Sequence, residues 1–353
     1  MPVEKLIIWL LSTPLHELIM RSYRAQVGVR LIPVELNRSG SRLSTDARLI
    51  DCRYDSCFPF NQFRLWRSVR CGVESLVGEL GRDPVGPVRI YLPNDVSLEY
   101  RLALGMLLRR YSAARVVMYE DGAGSIVDRA WHRDRAGVLH GLKEFAYSVL
   151  IPSYKTNFAG FRGRLYDEYV SLHPKSFADE RAAGAHVETL QPLGVGHALP
   201  QICESADIMR IFLMELLVEE CGVPLRHWLK YVDAIARTLD GRSLLVKPHP
   251  RTSREVLALT VQALAVHVEE VVVLDAGMSC EKYVCANPQV VHHLFGLISS
   301  AMIYSPLFAP ATRVSSCVRH LPHELVGHRV FALAKGMEKL IDEDRAAVSR
   351  ITQ

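Results

Sequence analysis

The sequence lacks an apolar run long enough to cross a membrane. A transmembrane helix needs about 20 consecutive apolar residues, and no stretch of the 353 residues reaches that length. The N-terminal run Leu6-Leu11 follows Lys5 as in a signal peptide, but it is short and ends at Ser12-Thr13-Pro14 without a small-residue cleavage site. These features predict a cytoplasmic protein whose membrane contact, if any, is peripheral on the inner face of the cytoplasmic membrane.

Cysteine and histidine spacings typical of zinc sites are also missing. The eight cysteines are scattered, with no CxxC pair and no paired histidines at metal-ligand spacing. They are interpreted as reduced, mostly buried thiols. The pattern therefore predicts neither a structural zinc site nor a disulfide framework.

Charge of one sign is not in large excess. Forty-two Lys and Arg residues against 38 Asp and Glu residues give a net charge of +4, and the pI is about 8.6. This mildly basic balance suits an anionic substrate or membrane surface but falls well short of a nucleic-acid-binding protein. The composition, 49% hydrophobic and 23% charged, is that of a globular protein, and the length predicts two domains.

One apolar run ends abruptly in two acids and a glycine, Val116-Val117-Met118-Tyr119-Glu120-Asp121-Gly122. Consecutive β-formers without alternation are typical of a strand buried inside a parallel sheet. The acids then lie at its C-terminal edge, where open α/β sheets bind ligands, and Gly122 permits a sharp turn there. A solvated acidic turn is the alternative interpretation.

A second short apolar run ends in Lys247-Pro248-His249-Pro250-Arg251. The two prolines restrict the backbone on both sides of His249, which lowers the entropy cost of holding the imidazole in place. The alternative is a histidine that only caps a loop. Another pair, His173-Pro174, has no strong preceding strand and no flanking cations, and is interpreted as a surface feature.

Strand and helix patterns alternate along the chain, which favours doubly wound parallel sheets. The patterns predict an N-terminal Rossmann-like domain over 1–165, a linker over 166–185 and a C-terminal Rossmann-like domain over 186–353. A helix is predicted at 206–221, and a charged amphipathic helix near 333–350 is expected to pack back on the first domain.

Two further features of the second domain indicate a phosphate site. Adjacent hydroxyls at Ser299-Ser300, before a helix, can present oxygen and backbone N–H donors to a phosphate. Glu281, about 18 residues earlier, can accept both hydroxyls of a ribose. A plain turn and a solvated helix acid are the alternatives.

In this order the motifs resemble those of bacterial sialyltransferases and polysialyltransferases: acid-acid-Gly at 120–122, His-Pro within Lys247-Pro248-His249-Pro250, then Glu281 and Ser299-Ser300. The segment Ser12-Thr13-Pro14-Leu15-His16 is similar to their N-terminal motif, in which Gln commonly stands in place of His16. The resemblance spans residues from about 6 to 300.

The resemblance implies an α/β protein of the GT-B class, with two Rossmann-like domains facing each other across a cleft. The first would bind the acceptor and the second a CMP-sugar. Loops of the first domain such as 38–61 and 123–137 would carry acceptor specificity. Asp121 or Glu120 would be the general base, and His249 would contact the CMP phosphate and act as acid toward the leaving group. The remaining predicted substrate contacts are Thr13, Gly122, Lys247, Pro248, Glu281, Ser299 and Ser300. No cofactor is expected, and metal is not expected to be required.

The predicted function is an inverting sialyltransferase. It would transfer sialic acid from CMP-sialic acid to a hydroxyl of a bacterial cell-surface glycan, such as lipooligosaccharide or capsular polysaccharide. The alternatives are a transferase for another CMP-activated acid sugar such as Kdo, a phosphate or nucleotide hydrolase, and a non-catalytic nucleotide-binding protein. The expected partners are the donor and the glycan acceptor, not nucleic acid, and a homodimer is left open.

Overall fold

The computed structural model describes residues 6–29, 31–37, 43, 46–52, 60–81, 86–94, 97–122, 166, 168–193, 209–239, 243–326 and 328–351. The chain divides into two compact units, Met1–Leu193 and Gly194–Gln353. The acceptor loop predicted at 123–137 lies outside the described residues.

The first unit contains a seven-stranded sheet in the order β3-β2-β1-β4-β5-β6-β7, and every pair of neighbouring strands is parallel. Its strands are β1 Leu6–Leu11, β2 Leu31–Asn37, β3 Arg48–Asp51, β4 Val88–Leu92, β5 Arg115–Tyr119, β6 Glu168–Ser171 and β7 Val187–Thr189. Its described helices are α1 Pro14–Val27, α2 Phe60–Leu80, α3 Leu98–Arg110 and the short α4 Ala178–Ala182.

Both faces of this sheet are buried, and successive strand residues point to opposite faces. On one face, Ile8 and Leu10 join the apolar core formed with α2 and α3. On the other face, Trp9 stacks on Tyr91 with ring centroids 4.4 Å apart and also contacts Tyr23 of α1. The helices thus cover both faces of the sheet, which explains the continuous apolar runs in the central strands.

The second unit contains a five-stranded parallel sheet in the order β10-β9-β8-β11-β12. Its strands are β8 Met209–Leu213, β9 Leu244–Lys247, β10 Val271–Val273, β11 Val291–Gly296 and β12 Arg313–Ser316. Its described α-helices are α5 Leu225–Ala236, α6 Arg254–Ala265, α7 Cys280–Ala286, α8 Ala301–Phe308 and α9 Arg329–Ile351.

Both sheets contain the doubly wound order in which later strands add on either side of a first central strand. The order reverses between β1 and β4 in the first unit and between β8 and β11 in the second. Ligands of open α/β sheets bind at such switch points, outside the carboxyl ends of the strands. The predicted α/β, GT-B fold class with two Rossmann-like domains is confirmed.

Two predicted boundaries need correction. The segment predicted as a linker at 166–185 supplies β6, which pairs with β5, and α4, so the first unit extends to Leu193. The helix predicted at 206–221 is instead β8 followed by a turn. Its apolar residues are buried in a central strand, and a short apolar run cannot be assigned to helix or strand by periodicity alone.

The C-terminal helix was predicted to pack on the first domain. Val330 and Ala334 of α9 lie in the core of the second unit, and packing against the first unit stays a prediction. None of the helices in the described part of the chain combines the length and apolarity of a membrane span.

Candidate active site

Asp121 lies just past the end of β5, one strand beyond the switch point between β1 and β4. Its Oδ1 is 2.8 Å from Nε2 of His16, in the first turn of α1, and its Oδ2 accepts a hydrogen bond from Nδ2 of Asn94 at 2.6 Å. His16 and Asn94 follow β1 and β4, so three adjacent strand ends meet at this carboxyl group. The Asp121 side chain is 28% exposed and can therefore be reached by a substrate.

The tautomer of His16 follows from its second contact. The backbone N–H of Ser12 donates to Nδ1 of His16 at 3.2 Å. Nδ1 must therefore carry the lone pair, and Nε2–H is the donor to Asp121. The ring is 1% exposed and packs edge-on against Tyr119 at 5.3 Å. His16 thus holds Asp121 through an immobilised Nε2–H donor.

Thr13, predicted as a substrate contact, is the N-cap of α1. Its Oγ1 accepts from the backbone N–H of His16 at 3.3 Å, a typical capping bond. Gly122, also a predicted contact, has φ 99°, a conformation that favours glycine. It lets the chain turn directly after Asp121.

Glu120 has a different environment from Asp121, although the two are adjacent. It is fully buried, and its oxygens accept from the backbone N–H of Leu172 and His173 and from the Ser176 hydroxyl. The carboxyl group thus fixes the turn after β6 to the end of β5. His173 is 2% exposed, so the interpretation of its His-Pro pair as a surface feature is wrong: it is part of this buried turn.

His249 follows β9, at the carboxyl edge of the second sheet. Its Nδ1 accepts from the backbone N–H of Arg251 at 3.2 Å, which leaves the proton on Nε2. Burial, together with the positive charges of Arg251 and Lys247, lowers the pKa of His249 to about 4. The imidazole is therefore an uncharged Nε2–H donor at neutral pH in the free protein.

Lys247, predicted to bind nucleotide, is 7% exposed. Its Nζ donates to the carbonyl oxygen of Pro248 at 2.5 Å and to that of Ala276 at 3.1 Å. Burial lowers the pKa of its ammonium group. Lys247 thus connects the turn after β9, which includes Pro248, to the loop after β10.

Glu281 and Ser300 lie together in the second unit. Oγ of Ser300 donates to Oε1 of Glu281 at 3.1 Å, and Oγ of Ser279, the N-cap of α7, donates to Oε2 at 2.7 Å. Ser299 accepts from the backbone N–H of Ala301 at 3.3 Å, at the start of α8. The structure therefore brings the predicted ribose acid and the predicted phosphate hydroxyls to one place.

Three acids after β8 were missed in the sequence. Oε1 of Glu215 accepts from the backbone N–H of Leu297, Glu219 accepts from the backbone N–H of Ser253 at 2.9 Å, and Glu220 forms an ion pair with Arg251. They lie in the segment predicted as a helix. An acid directly after an apolar run is the pattern that marks Glu120, and Glu215 could have been found by it.

Within the described ranges, no three His, Cys, Asp or Glu side chains are grouped as a metal site. Independence from metal stays a prediction.

Residues 225–318 match the sequence family described as Alpha-2,8-polysialyltransferase (POLYST). This segment includes the His-Pro motif, Glu281 and the two serines. No curated protein sequence matches the chain.

Solved structures with a similar fold include an alpha/beta-galactoside alpha-2,3-sialyltransferase from Photobacterium phosphoreum. It is 10% identical with a TM-score of 0.50, over 96% of this chain and 95% of that one. A UDP-glucosyltransferase from Polygonum tinctorium is 11% identical with a TM-score of 0.51, over 89% of this chain and 79% of that one. At such identities the likeness concerns the fold alone.

The fold is that of the GT-B class. The family match, together with this fold, identifies a glycosyltransferase. The resemblance to the bacterial sialyltransferases and polysialyltransferases is confirmed, with the sequence match in the second unit.

Proposed function

We propose that this glycosyltransferase is an inverting sialyltransferase. It uses CMP-sialic acid to sialylate a hydroxyl of a cell-surface glycan, such as lipooligosaccharide or capsular polysaccharide. The observation that carries the proposal is the 3.1 Å hydrogen bond between Ser300 and Glu281 inside the segment that matches the family. In a nucleotide site, the acid that binds the ribose and the hydroxyls that bind the phosphate must be neighbours. Glu281 and Ser300 meet that condition.

Asp121 is the general base in this proposal. It is accessible and oriented by His16 and Asn94, so it can take the proton of an acceptor hydroxyl. Glu120 is a poor candidate because it is buried and its oxygens already accept three donors. Of the two acids left open by the sequence, the geometry favours Asp121.

His249 meets the departing phosphate. In the free protein it is an uncharged donor through Nε2, because its pKa is lowered to about 4. A bound phosphate would remove part of the repulsion from Arg251 and Lys247 and favour the imidazolium. His249 then supports departure of CMP as a hydrogen-bond donor, and as a proton donor once charged. Direct displacement at the anomeric carbon would invert its configuration.

A glycan that ends in sialic acid is among the first acceptors to test, because the matching family is named for alpha-2,8 polysialyl transfer. A cytoplasmic location, peripheral membrane association and a homodimer belong to the proposal as well. They rest on the composition and on the surface chemistry expected for a glycan-precursor enzyme.

The test is calorimetric titration of the full chain with CMP in the presence of a chelator, with UMP, GDP and ADP as control ligands. Selective CMP binding supports the donor site, and preference for another nucleotide refutes it. Transfer from CMP-sialic acid and from CMP-Kdo to a glycan panel then separates the two donors. NMR of the new glycosidic bond reports inversion or retention. Loss of transfer with intact CMP binding in Asp121→Asn would exclude a non-catalytic binding protein.

A further inference from the structure

Glu215 lies two residues beyond β8, at the switch point of the second sheet. The residue is 7% exposed. Oε1 accepts from the backbone N–H of Leu297 at 2.7 Å and of Ile298 at 3.2 Å. Those residues lie between the end of β11 and Ser299. The carboxyl group thus connects the loop after β8 to the loop after the neighbouring strand β11.

Gly296 provides the space for this contact. A Cβ atom at position 296 would lie 2.7 Å from Oε1 of Glu215 and 3.1 Å from Cβ of Leu213. The first approach is shorter than real Cβ contacts and the second is tighter than most of them, so a side chain there would displace the carboxyl group. Gly296 and Glu215 therefore form one structural unit.

The hydrogen bonds continue from this unit into the nucleotide site. Leu297 and Ile298 lead directly to Ser299 and Ser300, and Ser300 donates to Glu281. Oε2 of Glu215 is sealed from solvent and has no hydrogen-bond partner in the described part of the chain. Glu215 cannot touch a substrate through that oxygen, so any effect on the site passes through the loop.

We infer that Glu215 is a positioning residue for donor binding: it holds residues 297–298 and thereby places the Ser299 and Ser300 hydroxyls for the phosphate. This role rests on the proposed CMP site. Two successive N–H groups on one carboxyl oxygen fix the peptide planes of the loop as well as its distance from β8. The raised pKa of Glu215, about 7 because of burial, fits a group kept in an apolar site for its geometry.

The experiment compares variants of Glu215 by CMP calorimetry at constant pH. Glu215→Ala removes the acceptor, and Glu215→Asp keeps the carboxyl group on a side chain that is one methylene shorter. Both should weaken CMP binding about tenfold. Glu215→Gln keeps an oxygen for the two N–H groups and should bind within about threefold of the wild type. Gly296→Ala should behave like Glu215→Ala, because it displaces the same carboxyl group.

Glu35→Ala is the matched control. Glu35 is a fully buried carboxylate of the first unit that also accepts from a backbone N–H, that of Leu43. Its loss should lower thermal stability without changing CMP affinity.

Wild-type affinity in both Glu215→Ala and Glu215→Asp would overturn the positioning role while leaving the CMP site intact. Absence of CMP binding by the wild type would overturn the donor site, and this role with it. Amide hydrogen exchange of Leu297 and Ile298 in Glu215→Ala, without nucleotide, adds an independent readout. Exchange at the wild-type rate would refute the inference even if the alanine variant is destabilised.

Discussion

Exchange of a single oxygen for nitrogen at either of two adjacent acids should have opposite consequences. In Asp121→Asn the side chain keeps its size but loses the ability to accept a proton. We expect turnover to fall by about 10²- to 10⁴-fold, the usual contribution of a general base. The asparagine can accept from only one of the two donors, His16 and Asn94. Because this side chain is 28% exposed, we expect the melting temperature of the variant to fall less than that of Glu120→Gln.

The Glu120→Gln substitution should lower the free energy of unfolding instead of the turnover. A neutral amide replaces a buried carboxylate that accepts from Leu172, His173 and Ser176. Charge-assisted hydrogen bonds are about twice as strong as neutral ones, so a loss of about 2 kcal/mol is expected. In a unit of this size that lowers the melting temperature by roughly 4–8 °C. Turnover per folded molecule should stay within a few-fold of the wild type.

The assay is CMP release from CMP-sialic acid in the presence of the accepted glycan, normalised to folded protein by CMP calorimetry. Circular dichroism gives the melting temperatures. The reasoning would be refuted by turnover near the wild-type rate in Asp121→Asn. It would equally be refuted if Glu120→Gln kept the wild-type melting temperature but lost turnover by the factor that is expected for Asp121→Asn.

Further changes test the remaining contacts. His249→Ala should reduce transfer by about 10²- to 10³-fold, because a donor to the leaving phosphate is lost; unchanged turnover would contradict the mechanism. His16→Ala should cost more activity than His16→Gln, since the glutamine amide can still donate to Asp121; equal losses would show that this donor is unimportant. For Glu215 the folded pKa of about 7 exceeds the ordinary 4.5, so its protonated form stabilises the fold below about pH 4.5 and that stabilisation is lost as the pH rises through about 7. In urea unfolding, the free energy of unfolding of the wild type should therefore fall by up to about 3 kcal/mol relative to that of Glu215→Gln across this pH window. Parallel pH profiles of the two unfolding free energies would disprove the raised pKa.

Much of the fold followed from the sequence because its central strands are continuous apolar runs. The strands at 115–119 and 244–247 were predicted for that reason, and so was the position of Asp121 and His249 at strand ends. The error at 206–221 arose where the same apolar composition fits a helix or a buried strand. Neighbouring strands in the sheet, not local propensity, decide that case.

The partners of the site residues could not be predicted. His16, Asn94 and Asp121 are brought together by the strand order β1-β4-β5, and their separations of up to 105 residues carry no local signal. The sequence also left open which of the two adjacent acids is accessible. That depends on which face of β5 is covered by the turn after β6, a property of the assembled sheet.

The two units share one arrangement at the carboxyl edges of their sheets. Glu120, after β5, accepts two successive backbone N–H groups that follow the neighbouring strand β6, and Glu215, after β8, does the same with those that follow β11. An acid that is enclosed at the end of a buried parallel strand has no water to solvate it, so adjacent loop amides are the donors within reach. The bond in turn fixes that loop. An acid at such a strand end is therefore as much a candidate for holding a loop as for catalysis, and burial separates the two roles: Glu120 and Glu215 are enclosed, whereas Asp121 is open to a substrate.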